Sequence, residues 1–312
     1  MIVPWLVSWG LLAVALGLAL RSRATGPLAL AALLALCAPL TCPEHGFSST
    51  VVTAWAVIVS VRLLDLRAFV GRRNPSVLET TLWLLIPVVR CRPDDAARRT
   101  RNRARAWRPL LWAAGERATW ELLDRVVLPR SEPLGAWPVV ALILFFVLNF
   151  TALAQLISAL SLAVGCDVEP AFDAPLLSRS PREFWSRRWN KFIARFLLKH
   201  VALELPRRFP APLVVVTVFA VSGALHEYFV FGAVGAGAGI IGTSGGILGS
   251  MMAFFLLQGL AVLVETRVQS RMPRALGNAA TFVWMMATAP LFFFPLGSVL
   301  PAFGYPRAWL PF

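Results

Sequence analysis

The stretch that decides the fold reads Val218-Phe219-Ala220-Val221-Ser222-Gly223-Ala224-Leu225-His226-Glu227-Tyr228-Phe229. Apart from His226 and Glu227, this stretch consists almost entirely of apolar and small residues. A charged side chain at the centre of a membrane helix costs about 2.5–3.5 kcal/mol, so an ionisable residue kept there marks a candidate functional site. We therefore expect a membrane helix here, with His226 as the candidate for its chemistry.

The rest of the chain is also apolar in long blocks. Of its 312 residues, 58% are hydrophobic. Blocks that can cross about 30 Å of hydrocarbon at 1.5 Å per residue predict an all-α, polytopic integral membrane protein with about seven to nine transmembrane helices. We interpret the first block as a retained helix rather than a signal peptide. The blocks lie at 2–20, 26–41, 49–61, 78–89, 136–165, 211–226, 228–241, 246–264 and 279–300.

Two of these blocks leave the topology open. Basic loops flank segment 78–89 on both sides, which favours a re-entrant or interfacial segment over a spanning one. Segment 136–165 is longer than one perpendicular span and contains Asn149 and Thr151, so it is either a strongly tilted helix or a hairpin.

The formal net charge of +14 comes from 30 basic and 16 acidic residues. Because the positive charge lies in loops between apolar blocks, it indicates cytosolic loops in contact with anionic lipid head groups, and not nucleic-acid binding. The four cysteines show neither paired nor metal-ligand spacing, so we expect no disulfide framework and no metal site.

We expect a single membrane-embedded domain over 1–312. It comprises N-terminal helices (1–89), a basic cytosolic or interfacial segment (90–134) and a catalytic core (135–312). Within the basic segment, tryptophans alternate with arginines over 98–129, a pattern typical of an amphipathic helix at head-group level or of a solvated basic loop.

A first motif begins at Ser180, where Ser180, Pro181 and Glu183 form an N-terminal capping pattern. If the helix continues, Asn190 lies well away from its basic face, which favours a specific role for the amide over simple solvation. A plain helix–helix hydrogen bond is the alternative. The basic face itself comprises Arg187, Arg188, Lys191, Arg195 and Lys199, beside an aromatic face of Trp185, Trp189, Phe192 and Phe196.

In the second motif, Ser222 and Gly223 share the helical face of His226, whereas Glu227 is rotated by about 100° and is a poor partner for the imidazole. An apolar environment favours the neutral imidazole, which can accept a proton as a general base. The alternative is a structural histidine with one satisfied hydrogen bond.

Four further residues are weaker candidates. We interpret His45 and His200 as structural or solvated. Gln258 and Glu265 are possible cavity residues, although an ion pair with Arg267 is the simpler explanation for Glu265.

Two sequence motifs, Phe184-Trp185-Ser186-Arg187-Arg188-Trp189-Asn190 and Ser222-Gly223-Ala224-Leu225-His226-Glu227, follow Glu169-Pro170-Ala171-Phe172. Together they resemble the wax synthase branch of the membrane-bound O-acyltransferases, where the motifs usually read Phe-Trp-Gly-Arg-Arg-Trp-Asn and Ser-Gly-x-x-His-Glu. The resemblance covers about residues 165–265. Ser186 in place of glycine is the departure from the pattern.

The resemblance implies acyl transfer from acyl-coenzyme A to a lipophilic alcohol, most simply a long-chain fatty alcohol, with no bound cofactor. His226 would then be the general base, and Asn190 would orient the thioester or stabilise negative charge on its oxygen. Substrate contacts would come from Trp185, Arg187, Arg188, Trp189, Ser222 and Gly223, with the two arginines near the coenzyme's phosphates.

Other functions stay open. One alternative is acyl or acetyl transfer to another hydroxylated acceptor. The alternative from another class is a lipid or small-solute transporter with His226 in a proton relay, although relays use several intramembrane ionisable groups. The expected location is the bacterial inner membrane or the endoplasmic reticulum membrane.

Overall fold

The computed structural model describes residues 47–71, 75–127, 137–234, 248–268 and 273–297, together with Ala31, Ala35 and Cys37. The predicted segments 2–20 and, save those three residues, 26–41 lie outside this part, as does His45. The described chain is predominantly helical, which confirms the all-α prediction.

Ten α-helices make up the described part of the chain. Short π-helical turns follow three of them, at Leu123–Val127, Phe184–Arg188 and Leu198–Ala202. A 3₁₀ turn covers Pro175–Leu177. The helices are α1 (Phe47–Gly71), α2 (Val77–Leu85), α3 (Ala96–Arg105), α4 (Trp107–Leu122), α5 (Trp137–Ala163), α6 (Pro181–Glu183), α7 (Lys191–Leu197), α8 (Ala211–Val234), α9 (Ser250–Val268) and α10 (Arg274–Gly297).

Three helices are long and apolar enough to cross a membrane, within the residues that the structure describes. They cover Ile143–Ala163, Ala211–Gly232 and Arg274–Leu296. A shorter apolar helix, Ser250–Glu265, packs against the second of them. The chain is therefore a membrane protein, and its predicted total of seven to nine helices includes segments beyond the described residues.

The structure resolves both open segments. Helix α2 has nine residues, or roughly 14 Å, which is too short to cross the bilayer. Helix α5 runs unbroken through the predicted weak point, because Asn149 Nδ2 and Thr151 Oγ1 donate to carbonyls of their own helix, 2.8 Å from Phe145 O and 2.7 Å from Val147 O. The hairpin alternative is therefore wrong.

Segments 211–226 and 228–241, predicted as separate, are joined. Helix α8 continues through Glu227 to Val234. The carboxylate does not interrupt it, because the side chain leaves the helix and binds the start of α9.

A two-stranded antiparallel ladder joins β1 (Val89–Cys91) to β2 (Asp167–Val168). The sequence pattern gave no sign of strands this short. The ladder fixes the end of α5 against the segment that follows α2. It thereby sets where the chain enters the first motif.

The core around the two motifs is aromatic. Helix α8 packs most extensively against α9, and α9 packs against α10. Between them lie the buried side chains of Phe219, Phe254, Phe255 and Val262, with Trp185 packed against this cluster. The first motif is thus anchored to the helices that carry the second.

Candidate active site

His226 lies two thirds of the way along α8, on the candidate span Ala211–Gly232. Its Nδ1 atom is 2.8 Å from the backbone carbonyl oxygen of Ser222, one turn earlier. A carbonyl oxygen can only accept, so Nδ1 carries the proton and donates it. In the neutral ring, Nε2 then has a free lone pair, which is what a general base requires.

The surroundings of the imidazole are aromatic. Its ring centroid is 4.3 Å from that of Phe255 and 5.8 Å from that of Phe292. These contacts hold the ring in one orientation and keep its immediate environment apolar. Ser222 contributes through its backbone carbonyl.

Gly223 allows α8 and α9 to approach closely. A Cβ atom there would lie 2.9 Å from Met252 Sδ and 3.1 Å from Met252 Cα. The space beside Gly223 is thus filled by a neighbouring helix, and of the two roles expected for this glycine, helix packing is the one that the structure shows.

Glu227 points away from the catalytic candidate, as its rotation predicted. Its Oε1 atom accepts a hydrogen bond of 2.9 Å from Met252 N in the first turn of α9. A carboxylate at a helix N-terminus satisfies an unpaired N–H and interacts favourably with the helix dipole. This gives Glu227 a structural role that the sequence left open.

The first motif is not a continuous helix, so the helical-wheel placement of Asn190 was wrong. Ser180 does cap α6, since Glu183 N lies 3.0 Å from Ser180 Oγ, but the chain then makes a π-helical turn and breaks. Trp189 is extended, and Asn190 adopts a left-handed conformation with φ of 40°. Asparagine tolerates this region better than most residues, and a new helix, α7, begins after it.

Asn190 is the N-cap of α7. Its Oδ1 atom accepts from Ile193 N at 3.4 Å. The amide nitrogen Nδ2 has no hydrogen-bond partner among the described residues, so it is available as a donor. This arrangement fixes the direction of the amide without using its N–H groups.

Backbone pairing with the preceding loop supports the break. Asp173 N donates to Arg188 O and Lys191 N donates to Ala171 O, each at 2.8 Å. The polar groups freed by the broken helix are thereby satisfied. Helical periodicity contains no signal for such a contact.

Trp185 and Phe255 connect the two motifs. The ring of Trp185 lies 5.4 Å from that of Phe255, which in turn contacts His226. Trp189 stacks on Phe184 at 5.5 Å. Helix α7 also contacts α8, although Asn190 and His226 make no direct hydrogen bond in the structure.

Gln258 is fully buried and joins three elements. Its Oε1 atom accepts from the indole N–H groups of Trp185 at 3.4 Å and Trp284 at 3.1 Å, and its Nε2 donates to Thr288 Oγ1 at 2.8 Å. Gln258 therefore holds the indole of Trp185 in place. In the sequence, Gln258 stands out only as an amide side chain within an apolar segment.

The two arginines of the first motif differ. Arg188 Nε donates to Glu183 Oε1 at 2.8 Å, and its Nη1 reaches the carbonyls of Asp173 and Ala174, so it holds the loop together. Burial alone would raise the pKa of Glu183, but hydrogen bonds from Arg179 N and Arg188 outweigh it and lower that pKa. Arg187 is exposed and has no acidic partner among the described residues.

Much of the predicted basic face is neutralised. Arg195 pairs with Glu169, and Lys199 and His200 pair with Asp65, so His200 has the structural role expected of it.

Glu265 accepts from Arg182 N at 2.8 Å and so caps α6. The side chain of Arg267, its expected partner, lies outside the described residues.

Chain comparisons bear on these motifs. Residues 168–257 match the model of the membrane bound O-acyl transferase family. The chain is 31% identical over 150 residues to a probable long-chain-alcohol O-fatty-acyltransferase 2 of Arabidopsis thaliana, covering 44% of this chain and 41% of that protein. The predicted resemblance to the membrane-bound O-acyltransferases is confirmed. Both motifs lie inside the matched segment 168–257.

Two further relatives are also O-acyltransferases by name, one for a long-chain alcohol and one for a sterol. The long-chain-alcohol O-fatty-acyltransferase of Simmondsia chinensis is 28% identical over 146 residues, covering 42% of this chain and 39% of that protein. Acyl-CoA–sterol O-acyltransferase 1 of Arabidopsis thaliana is 29% identical over 179 residues, covering 50% and 48%. The matches span less than half the length of each of these relatives.

Proposed function

We propose that this protein transfers an acyl group from acyl-coenzyme A to the hydroxyl of a lipophilic alcohol, with a long-chain fatty alcohol as the leading acceptor. The observation that carries the proposal is the imidazole of His226. Its Nδ1–H is committed to Ser222 O, and its Nε2 is left as a base inside an apolar helix pair. The named relatives support the same chemistry.

The reaction follows from that geometry. His226 Nε2 takes the proton of the acceptor hydroxyl as the oxygen attacks the thioester carbonyl carbon. The tetrahedral intermediate then collapses, the carbon–sulfur bond breaks, and the imidazolium returns the proton to the leaving thiolate. The products are an ester and free coenzyme A.

Asn190 supplies the complementary charge stabilisation in this proposal. Its Nδ2, without a partner among the described residues, donates to the thioester oxygen as negative charge develops. The loss of one such donor typically reduces turnover by about 10²–10³-fold. The cap bond to Ile193 N holds the amide ready for this role.

The remaining site residues position the substrates. Trp185 lies between the two motifs against Phe255, and Trp189 stacks on Phe184 within the first motif. Ser222 orients the imidazole through its carbonyl, and Gly223 allows α9 to approach α8. Arg187 is the motif arginine best placed for a coenzyme phosphate, because Arg188 is already bound to Glu183 and two carbonyls. Acyl-coenzyme A is a co-substrate here and no bound cofactor is needed.

The named relatives differ in the acceptor alcohol. One relative is named for a sterol acceptor and the others for long-chain alcohols. The test is a panel in which purified protein receives acyl-coenzyme A of graded chain length with a fatty alcohol, a sterol or a short alcohol, and ester and free thiol are both measured. We expect ester formation to be fastest with long-chain alcohols. Faster esterification of sterol would reassign the acceptor.

A transporter using His226 in a proton relay is the alternative from another class. In the span Ala211–Gly232, His226 and Glu227 are the acidic and basic side chains, and Glu227 Oε1 accepts from Met252 N in the first turn of α9. A relay requires several such groups in series. Acyl transport into sealed vesicles without ester or thiol release would favour the transporter and contradict the enzyme.

We further propose a multi-pass location in the endoplasmic reticulum membrane, since the relatives described above come from plants. The bacterial inner membrane is the alternative. Fractionation of the source cells separates the two.

A further inference from the structure

A basic cleft of about 460 Å³ opens beside the end of α5, apart from both motifs. Five arginine side chains line it, with Asn102, Pro109, Leu162, Asp167 and Val168. The proposed chemistry uses none of these residues. The arginines are Arg90, Arg98, Arg101, Arg105 and Arg108.

The cleft carries excess positive charge. Arg98 pairs with Asp167 at 2.8 Å, and Arg90 pairs with Glu169 at 2.6 Å. Arg105 and Arg108, by contrast, have no acidic partner among the described residues. Arg101 also lies 3.7 Å from Asp95, so the excess positive charge of the lining belongs to Arg105 and Arg108. Two guanidinium groups without acidic partners favour an anion, and guanidinium groups match phosphate oxygens in geometry.

The floor of the cleft is rigid. Asn102 is buried, and its Nδ2 lies 3.2 Å from Gly165 O, 3.1 Å from Cys166 O and 2.8 Å from Asp167 Oδ1. These bonds fix α3 on the turn that follows α5. The arginines of α3 are therefore displayed from a fixed helix and not from a free loop.

Neighbouring apolar residues place the cleft at the membrane surface. The candidate span Ile143–Ala163 ends beside it, and Leu162 of that span lines it. Helix α4 begins at its edge and exposes Trp107 by 56% and Trp112 by 68%, with Leu110 and Leu111 between them. Exposed aromatic and aliphatic side chains next to arginines are typical of a helix that lies in the lipid interface.

We propose that this cleft binds the head group of an anionic phospholipid, with the phosphate held by Arg105 and Arg108 and the acyl chains along the exposed face of α4. The charge selects an anion, and the adjoining apolar face selects one that carries hydrocarbon. Free coenzyme A would use only the first of these features, whereas acyl-coenzyme A shares both and is therefore the competing occupant that the test must exclude. The site is separate from His226 and does not depend on the proposed acyl transfer.

The test compares two double variants of the full chain, both of which remove two positive charges. Arg105→Gln with Arg108→Gln removes the cations without acidic partners and breaks no ion pair. Arg207→Gln with Arg208→Gln removes two exposed arginines outside the cleft. Each protein is reconstituted with phosphatidylcholine and a minor fraction of phosphatidylserine, and the lipid retained after detergent exchange is quantified by mass spectrometry.

We expect wild type and the Arg207/Arg208 variant to retain phosphatidylserine in preference to phosphatidylcholine. The Arg105/Arg108 variant should lose this preference by about 30-fold, since each of the two surface arginines contributes about 1 kcal/mol to attraction of anionic lipid. Equal retention of phosphatidylserine by both variants would overturn the proposal.

Two further outcomes would assign the cleft to the nucleotide and also overturn the proposal. One is displacement of the lipid by free coenzyme A. The other is a raised KM for acyl-coenzyme A in the Arg105/Arg108 variant with unchanged retention of phosphatidylserine. Thermal unfolding of each variant reports whether the fold is intact.

Discussion

Asn190 combines a backbone task with a proposed chemical one. The left-handed conformation and the cap of α7 are the backbone task, and they use only Oδ1. The N–H groups of the amide are left for the thioester oxygen. Because the two tasks use different atoms of one side chain, single substitutions can separate them.

Asn190→Asp is the substitution that separates them. Aspartate also tolerates the left-handed region and caps helices as well as asparagine, but its ionised carboxylate cannot donate. We expect turnover to fall by about 10²–10³-fold with little change in thermal stability. Asn190→Gly, which keeps the backbone but removes the whole amide, should show a similar loss. If Asn190→Asp turned over at the wild-type rate, Asn190 would be a cap only.

Gln258 is buried, and its replacement leaves two indole N–H groups without a hydrogen-bond acceptor. In Gln258→Met the indole N–H of Trp185 and that of Trp284 both lose their acceptor. Each unsatisfied buried donor costs about 1–3 kcal/mol, so the melting temperature in detergent should fall clearly. Gln155→Met is the control, because Gln155 makes no hydrogen bond among the described residues. Equal melting temperatures for the two variants would remove Gln258 from the structural account.

At the scale of elements, the approach of α8 to α9 controls the position of His226. Gly223→Ala places a methyl group 3.1 Å from Met252 Cα, a backbone atom that cannot move alone. We expect a loss of about 1–3 kcal/mol in stability, as for other overpacked helix contacts, together with reduced turnover. Thermal unfolding and ester formation measure the two effects.

Gly115→Ala is the matched control for this prediction. A Cβ atom at Gly115 meets nothing within 4 Å, and Gly115 lies inside α4. Alanine there should stabilise the helix by up to about 1 kcal/mol. If both alanine variants were stabilised, the close packing of α8 on α9 would not be required.

The sequence predicts the long apolar helices but not the break at Asn190. The apolar blocks predicted α5, α8, α9 and α10, because burial in lipid imposes long runs of apolar residues that need no tertiary information. The break at Asn190 was missed, since it depends on pairing with Ala171 and Asp173, and a helical pattern carries no record of such contacts. The prediction that Glu227 does not pair with His226 was correct. Its actual partner, Met252 N of α9, depends on helix packing that the sequence pattern does not record.

At the scale of the whole molecule, ion pairs join α1 and β1 to α7, to the turn after it and to Glu169. Asp65 of α1 binds Lys199 and His200 in the turn after α7, and Glu169 pairs with both Arg90 and Arg195. Asp65 lies beyond the apolar stretch 49–61. Burial alone would raise its pKa, but hydrogen bonds from Lys199 and His200 outweigh burial and hold the pKa below the ordinary value of 3.8.

The lowered pKa of Asp65 makes the stability of the fold depend on pH. Because the folded pKa lies below the unfolded one, ionised Asp65 stabilises the fold above pH 3.8, and this contribution is lost as pH falls through the folded value. Asp65→Asn should therefore melt below wild type at neutral pH, and the difference should shrink on acidification. Thermal unfolding of both proteins, measured from neutral pH to below pH 3.8, tests this prediction. A difference that stayed constant with pH would show that charge on Asp65 is not involved.

His226 Nε2 is the proposed base for acyl transfer, and one substitution tests this role directly. His226→Gln keeps a donor of similar reach for Ser222 O but supplies no base at the Nε2 position. With labelled acyl-coenzyme A and a long-chain alcohol, we predict that purified His226→Gln forms ester at least about 10²-fold more slowly than wild type, while His200→Gln stays active. Ester formation by folded His226→Gln at the wild-type rate would contradict the account.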